Sequence, residues 1–349
     1  GGDEFVLLAE LSAADDALKL AMQVVEQVAA PFQIDEHPLR VSTSVGIVVY
    51  PGDGNSQHEL LRNADAAMYH AKGAGKNGYS FFESSMNTNA RKQLQLLNDL
   101  RMALPNDELR VHYQAKFDAA SGQVIGAEAL LRWHHPEHGL LPPDRFIGLA
   151  EKTGLIIPIG DWVLNQACRQ MREWHDLGHR DWRIAVNLSA LQFGHADLVQ
   201  SVEDALTRHQ LPANCLTLEI TESTAMKDAD ASLLVLQRLA DMQVDLSIDD
   251  FGTGYSSLLY LKRLPANELK IDRGFVQDLE HDSDDAAIVS AIVALGKALG
   301  LRIVAEGVET ARQQDFLTGL GCSSLQGFLL GHPLPAETFL HTLNPTVSA

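Results

Sequence analysis

Ser247-Ile248-Asp249-Asp250-Phe251-Gly252-Thr253-Gly254-Tyr255-Ser256-Ser257 ends an apolar run in two adjacent carboxylates and a Gly-Thr-Gly loop. Val244 to Ile248 reads as a buried strand. Side chains alternate along a strand, so Asp249 continues the face of Ser247, and Asp250 falls where the strand opens into loop. Two neighbouring carboxylates repel unless a cation lies between them. For all-oxygen ligands the fitting cation is Mg²⁺ or Mn²⁺, and one carboxylate can bridge two such ions while its neighbour holds the second. Taken alone, the stretch also fits a helix cap or a solvated Asp-Asp turn.

Its neighbours decide between these readings. Strands are expected at 109–117, 124–133, 183–189, 216–221, 244–249, 268–273, 302–307 and 323–329. From the second strand onward every gap holds an amphipathic helix, for example Trp162 to Leu177, with Val163, Ala167, Gln170 and Trp174 on one side. Strand and helix alternating over roughly 240 residues is the pattern of a (β/α)₈ barrel. The first two strands are joined only by Ala119-Ala120-Ser121-Gly122-Gln123. A parallel crossover needs about a dozen residues, so that pair must be antiparallel. The expected fold is α/β: a modified (β/α)₈ TIM-type barrel with one antiparallel strand, preceded by a truncated α+β domain.

In such barrels the chemistry sits at the carboxyl ends of the strands. There the sequence places Glu128 on the second strand, Asn187 on the third, Glu219 and Glu222 on the fourth, and Asp249 and Asp250 on the fifth. Lys270 and Asp272 follow on the sixth, Glu306 and Glu309 on the seventh, and Gln326 on the eighth. Burying that many like charges without cations costs several kcal/mol each. The set holds oxygen donors and one lysine but no His or Cys, which excludes a typical zinc site and favours two hard divalent ions. Such a pair suits attack of water on a phosphodiester. Lys270, inward among acids, could orient or help deprotonate that water, or serve as an internal counter-ion.

Composition narrows the class further. At 349 residues the chain suggests about two domains. Its 46% hydrophobic and 21% charged content is that of a globular protein. No apolar run reaches the ~18 residues of a membrane span, and Cys168, Cys215 and Cys322 lie too far apart for a zinc or disulfide framework. A reducing cytoplasm is expected, with membrane attachment left to an unseen N-terminal region. A net charge of −19 argues against binding nucleic acid polymers.

Before the barrel, Gly1-Gly2-Asp3-Glu4 reads as a turn followed by a strand, Phe5 to Ala9. A helix Ala13–Ala29, a strand Leu39–Val49 and a second helix Glu59–Lys72 come next. A linker helix over 84–108 then runs to a stop at Pro105. Gly1-Gly2-Asp3-Glu4-Phe5, Ser42-Thr43-Ser44-Val45-Gly46-Ile47 and Ala64-Asp65-Ala66-Ala67-Met68-Tyr69-His70-Ala71-Lys72-Gly73-Ala74-Gly75-Lys76-Asn77 resemble the second half of a GGDEF domain. That family condenses two GTP into cyclic di-GMP. The resemblance implies a vestigial site with Gly1 and Gly2 in the turn, Asp3 and Glu4 at nucleotide and metal, and Lys72 and Lys76 near triphosphate. The family's first half is not matched, so the chain as given is not expected to make cyclic di-GMP. GTP would be a partner only of an intact GGDEF domain in a longer protein.

A second resemblance covers about 93 to 345. Glu128-Ala129-Leu130-Leu131-Arg132-Trp133 is followed by His135-Pro136, Phe146-Ile147, Asn187-Leu188-Ser189 and Leu218-Glu219-Ile220-Thr221-Glu222. The opening stretch comes next, then Leu269-Lys270-Ile271-Asp272, Ala305-Glu306-Gly307-Val308-Glu309-Thr310 and Gln326-Gly327-Phe328. These blocks in this order resemble the EAL domain, the cyclic di-GMP phosphodiesterase family. The resemblance implies hydrolysis of cyclic di-GMP to linear pGpG with two Mg²⁺ or Mn²⁺. Glu128, Asn187, Glu219 and Asp249 would hold one ion, and Asp249 and Asp250 the second. Lys270 and Glu306 would handle the water, with Glu306 as base or outer ligand. Gln114, Arg132, Asp272, Glu309 and Gln326 would serve the substrate or the second-metal side. Glu222 would anchor the loop 250–257, which in the family couples dimerisation to metal binding, so a homodimer is expected. Ala115 stands where the family usually has proline, and Gly274 where serine is common. The expected units are 1–83, 84–108 and 109–349. The alternatives are a receptor that holds cyclic di-GMP without cutting it and, for the full-length protein, a bifunctional cyclase and phosphodiesterase.

Overall fold

The computed structural model describes residues 4–10, 14–30, 32–34, 37–39, 41–73, 77–83, 95–253, 258–280 and 282–343. The chain divides into two compact units, Gly1–Asp99 and Leu100–Ala349. In the first unit helices Ala14–Ala29 and Gln57–Gly73 accompany a parallel pair of strands, Ser44–Ile47 and Gly78–Phe81. Ala17, Ala21 and Ile47 are its buried apolar centre, with Val45 and Phe81 packed against them. Gly46 has a packing reason: a Cβ there would overlap the Ala64 carbonyl oxygen and the Met68 amide of helix Gln57–Gly73.

Two expectations for this unit need correction. Residues 4–10 carry no strand, and Phe5, Val6, Leu7 and Leu8 are exposed. An apolar run becomes a strand only when a neighbour takes up its backbone hydrogen bonds, and no described strand lies beside this one. The expected strand Leu39–Val49 is two elements. His37–Leu39 pairs with Phe32–Ile34 in a hairpin, whereas Ser44–Ile47 joins Gly78–Phe81. Gly1, Gly2 and Asp3 of the expected turn, Lys76, and 84–94 of the expected linker lie outside the described residues. Residues 95–103 are helical and end before Pro105, in keeping with the ring's block on helix continuation.

The second unit is the barrel. Its strands are β1 (Leu109–Asp118), β2 (Val124–His135), β3 (Arg183–Leu188), β4 (Leu216–Thr221), β5 (Asp245–Phe251), β6 (Glu268–Ile271), β7 (Arg302–Ala305) and β8 (Ser324–Leu325). Neighbours from β2 to β8 pair in parallel, while β1 is antiparallel to both β2 and β8 and so closes the ring. The short β1–β2 connection thus has the effect its length requires. Helices α1 (Ile156–Asp176), α2 (Leu198–His209), α3 (Ala229–Asp241), α4 (Ser283–Ala298) and α5 (Ala311–Leu320) fill the gaps after β2, β3, β4, β6 and β7. The gap after β5 carries the short helix Leu258–Leu261. α1 begins six residues before the expected Trp162, because Pro158 lies within its first turn, where a missing N–H costs nothing. It buries Val163, Ala167, Gln170 and Trp174 together, as their spacing requires.

Alternation then sorts the side chains. On β2, Ala127, Ala129, Leu131 and Trp133 are buried toward the helices, which leaves Glu128 and Arg132 on the inner face. Arranged the same way, β4, β5 and β6 turn Glu219, Asp249 and Lys270 inward, where ion pairs join them.

Candidate active site

Lys270 is the centre of the constellation. Its side chain is 1% exposed, and its ammonium lies 2.6 Å from Glu219 Oε2, 2.6 Å from Glu306 Oε1, 3.0 Å from Asp249 Oδ2 and 3.9 Å from Glu128 Oε2. Burial alone would drive off its proton. The four carboxylates outweigh burial and hold the ammonium well above its usual range. The same balance acts on the acids. Burial raises Glu219, but Lys116 and Lys270, both hydrogen-bonded to it, bring it down to about 2. Glu306 goes the other way. Burial, aided by the Asp249, Glu128 and Glu219 charges, prevails over Lys270 and raises it to about 8.

Around this centre runs a chain of amides. Asn187 Nδ2 donates to Glu128 Oε1 at 2.6 Å, and Gln326 Nε2 donates to Glu128 Oε2 at 2.6 Å. Gln326 Nε2 also donates to Gln114 Oε1 at 3.0 Å, and Gln114 Nε2 to the Gly331 carbonyl at 2.9 Å. Both oxygens of Glu128 are thereby oriented. Gln326 lies just past β8 at the close approach of Gly327 to Val308. A Cβ on Gly327 would overlap the Val308 backbone, whose N–H bonds the Gln326 carbonyl at 3.1 Å.

Asp249 and Asp250 stand differently from the sequence reading. β5 runs on through Phe251, and its pairing with β6 shifts register between Ile248 and Phe251. Asp250 sits within this bulge at φ 53°, in the left-handed region, with its N–H donated to Asp249 Oδ1 at 2.8 Å. The extra residue of a bulge re-aims a side chain, so both carboxylates are carried by one strand. Burial, Asp249 and Asp272 together raise Asp250 to about 6, and Asp250 shares a hydrogen bond with Asp272. Asp272 also caps helix Arg273–Gln277 through the Gly274 N–H at 2.8 Å. Glu222, buried at the start of helix Glu222–Lys227, accepts the Gly252 N–H at 2.9 Å and so ties the loop after β5 to the end of β4. Residues 254–257 of that loop lie outside the described residues.

The remaining expected residues are less central. Arg132 is half-buried, feels the Glu128 charge and donates to the Leu131 carbonyl at 2.8 Å. Glu309 is exposed and accepts from Gln277 Nε2 at 3.2 Å, apart from the carboxylates around Lys270. In the first unit Lys72 stacks over the Tyr69 ring at 5.4 Å, and Glu4 is exposed. Lys116 was not anticipated. Buried on β1, it donates to Glu219 Oε1 at 2.6 Å and lies 3.5 Å from Glu268. Its signal was available, since Lys116 lies two residues from Gln114 and therefore on the same strand face.

Among the described residues no three His, Cys, Asp or Glu side chains form a ready-made metal cage. The donor set nevertheless fits hard divalent ions: its donors are oxygens, its acids converge on one positive charge, and Gln326 Oε1 is buried without a partner.

Two family profiles match the chain, the EAL domain over residues 97–333 and the diguanylate cyclase GGDEF domain over 1–78. The chain belongs to the EAL domain family. In Pseudomonas aeruginosa, a bifunctional diguanylate cyclase/cyclic di-GMP phosphodiesterase, MucR, is 67% identical over 340 residues, 97% of this chain and 50% of the relative. Cyclic di-GMP phosphodiesterase NbdA of the same organism is 45% identical over 334 residues, 96% of this chain and 43% of the relative. The chain thus spans about half the length of the curated relatives it matches. Among solved structures, the PaMucR phosphodiesterase in complex with c-di-GMP is 70% identical and superposes with a TM-score of 0.69, covering 70% of this chain and 99% of that one. The EAL enzyme Bd1971 with cAMP and cyclic-di-GMP bound is 32% identical with a TM-score of 0.70, covering 84% of this chain and 77% of that one. The EAL domain resemblance read from the motifs and the barrel with its reversed first strand are therefore both borne out. The EAL domain is a metal-dependent phosphodiesterase family, which agrees with the oxygen-rich site. Among the described residues no helix is long and apolar enough to cross a membrane.

Proposed function

We propose that this chain hydrolyses cyclic di-GMP to linear pGpG, using two Mg²⁺ or Mn²⁺ ions. The observation that carries the reading is the convergence of Glu128, Glu219, Asp249 and Glu306 on one buried ammonium inside the barrel, in a chain 70% identical to a phosphodiesterase solved with c-di-GMP. Glu128, Asn187, Glu219 and Asp249 would hold one ion, and Asp249 with Asp250 the other; bound there, the ions would supply Lewis-acid polarisation of the phosphodiester and a lowered pKa for the attacking water. Glu306 is the proposed base for that water: burial raises it to about 8 in the metal-free site, and the positive charge of bound ions would return it to the ionised form that accepts a proton. Lys270, kept charged by its four acids, orients Glu306 rather than accepting a proton. Gln326 and Gln114 hold Glu128 in place. Arg132 would offer a cation to the substrate phosphate on the face of Glu128, and Asp272 and Glu309, near the ends of β6 and β7, are proposed to contact the substrate. Glu222 anchors the loop after β5, through which a homodimer would be coupled to the site.

The test is incubation with cyclic di-GMP in Mg²⁺, with EDTA as control, and chromatographic separation of substrate from pGpG. Metal-dependent pGpG is expected, and tight binding with no product would favour the receptor reading instead. The GGDEF match over 1–78, shared with a relative named as bifunctional, favours a second activity for the whole protein. Incubating the full-length protein with GTP tests it, with cyclic di-GMP as the expected product.

A further inference from the structure

A line of alternating charges runs up the inside of the barrel. At the amino-terminal end of the parallel strands Asp245 meets Arg302 Nη2 at 2.5 Å and Arg183 Nε at 3.5 Å. Arg302 Nε reaches Glu268 at 3.6 Å, Glu268 reaches Lys116 at 3.5 Å, and Lys116 reaches Glu219 at 2.6 Å. Lys270, Asp249 and Glu306 continue it into the candidate active site. Below Glu219 the line borders a cavity of about 230 Å³, lined by Lys116, Gly126, Arg183, Ala185, Thr217 and Ser324 among others. Among the described residues Lys116 joins the two halves of the line, through Glu268 below and Glu219 above.

We propose that Lys116 is a positioning residue for Glu219: by fixing Oε1 from below, it leaves Oε2 as the oxygen turned toward Asp249, where the divalent ion is to bind. Three observations carry this. The Lys116 bond to Glu219 is much shorter than its approach to Glu268, and Glu268 already has Arg302 as a partner. Glu219 has a fully buried side chain, and among the described residues Lys116 meets its Oε1 and Lys270 its Oε2. Gln114, the inward residue before Lys116 on β1, acts in the same way on Glu128 by way of Gln326. The strand that runs against the others thus orients two acids through its inward residues, Glu219 directly by Lys116 and Glu128 by Gln114 through Gln326.

The inference rests on the metal reading above, and the experiment separates the two. Mn²⁺ is titrated into the wild-type chain, Lys116→Met and Lys116→Arg, with free Mn²⁺ read by electron paramagnetic resonance and folding by circular dichroism. Methionine keeps the volume and loses the donor; arginine keeps the donor, with its extra bulk taken up by the cavity below. Lys116→Met is expected to raise the Kd for Mn²⁺ at least fivefold, with Lys116→Arg within about twofold of wild type. A residue that only fills space predicts the reverse order, and that order, or an unchanged Lys116→Met, overturns the proposal. No Mn²⁺ bound by the wild type would instead overturn the metal reading. If Lys116→Met does not fold, Glu268→Gln decides. With the negative charge that competes for Lys116 removed, the Kd is expected to fall about threefold, and an unchanged or higher value overturns the proposal.

Discussion

Glu128 and Lys270 are held in opposite ways, and their substitutions should fail in opposite ways. Glu128 accepts from two amides, so Glu128→Ala removes the proposed ligand of the ion and leaves Asn187 and Gln326 each short of a partner. Turnover of cyclic di-GMP is expected to fall below a few per cent of wild type, and a larger residual rate in a steady-state assay would displace Glu128 from the metal site. Lys270 contacts Glu306, the proposed base, at 2.6 Å and is proposed to serve the water through it. Lys270→Ala is therefore expected to lower kcat at least about a hundredfold while KM stays within about threefold, the signature of an interaction made in the transition state. A raised KM at unchanged kcat would move Lys270 to the substrate. Most of these residues were legible from sequence, because alternation on a strand says which side chains face inward. Lys116 was passed over because it sits a layer below the strand ends on which the reading concentrated.

At the scale of elements, two close approaches shape their units. Gly327→Ala would push β8 off the Val308 backbone and with it Gln326, the residue that orients Glu128. The expected outcome is a folded protein, with an unchanged far-ultraviolet circular dichroism spectrum, whose activity is down by tenfold or more. Activity equal to wild type would show that Gln326 is placed by other contacts. Gly46→Ala strikes the first unit alone, driving helix Gln57–Gly73 away from Ser44–Ile47. Overpacking of this kind costs about 1–3 kcal/mol. Limited proteolysis is expected to cut within residues 1–83 sooner than in wild type while the phosphodiesterase rate holds. The bulge at Asp250 belongs to this scale as well. A run of two aspartates reads the same whether the strand ends there or bulges and continues, and only the pairing of β5 with β6 distinguishes them.

For the whole molecule, the buried charges make stability depend on pH and on metal. In metal-free protein Glu306 titrates at about 8 against an unperturbed 4.5. Between those values the folded state holds a proton that the unfolded state has released, so stability is fullest below 4.5 and falls as pH rises toward about 8. Melting temperatures of EDTA-treated wild type should therefore decline across this window more steeply than those of Glu306→Gln, whose side chain does not titrate. Parallel curves would mean that Glu306 is already ionised at neutral pH. Divalent cations at pH 8 should raise the wild-type melting temperature, because they bind the folded site and not the unfolded chain.

The sequence by itself determined the alternation of strands and helices, the antiparallel first pair and the residues at the strand ends. Each is local: periodicity, loop length and side-chain direction are set within a dozen residues. It misjudged Phe5–Ala9 and Leu39–Val49 for a related reason, since whether an apolar run is a strand depends on a partner that periodicity does not show. Only the tertiary structure decided what those strand ends touch. Lys116 meets Glu219 across 103 positions of chain and Gln326 meets Gln114 across 212, joined because β1 closes the ring against β2 and β8. Closure brings inward-facing side chains from distant strands within hydrogen-bond distance of one another, and at that range one ammonium can hold one carboxylate ionised while its neighbour keeps a proton.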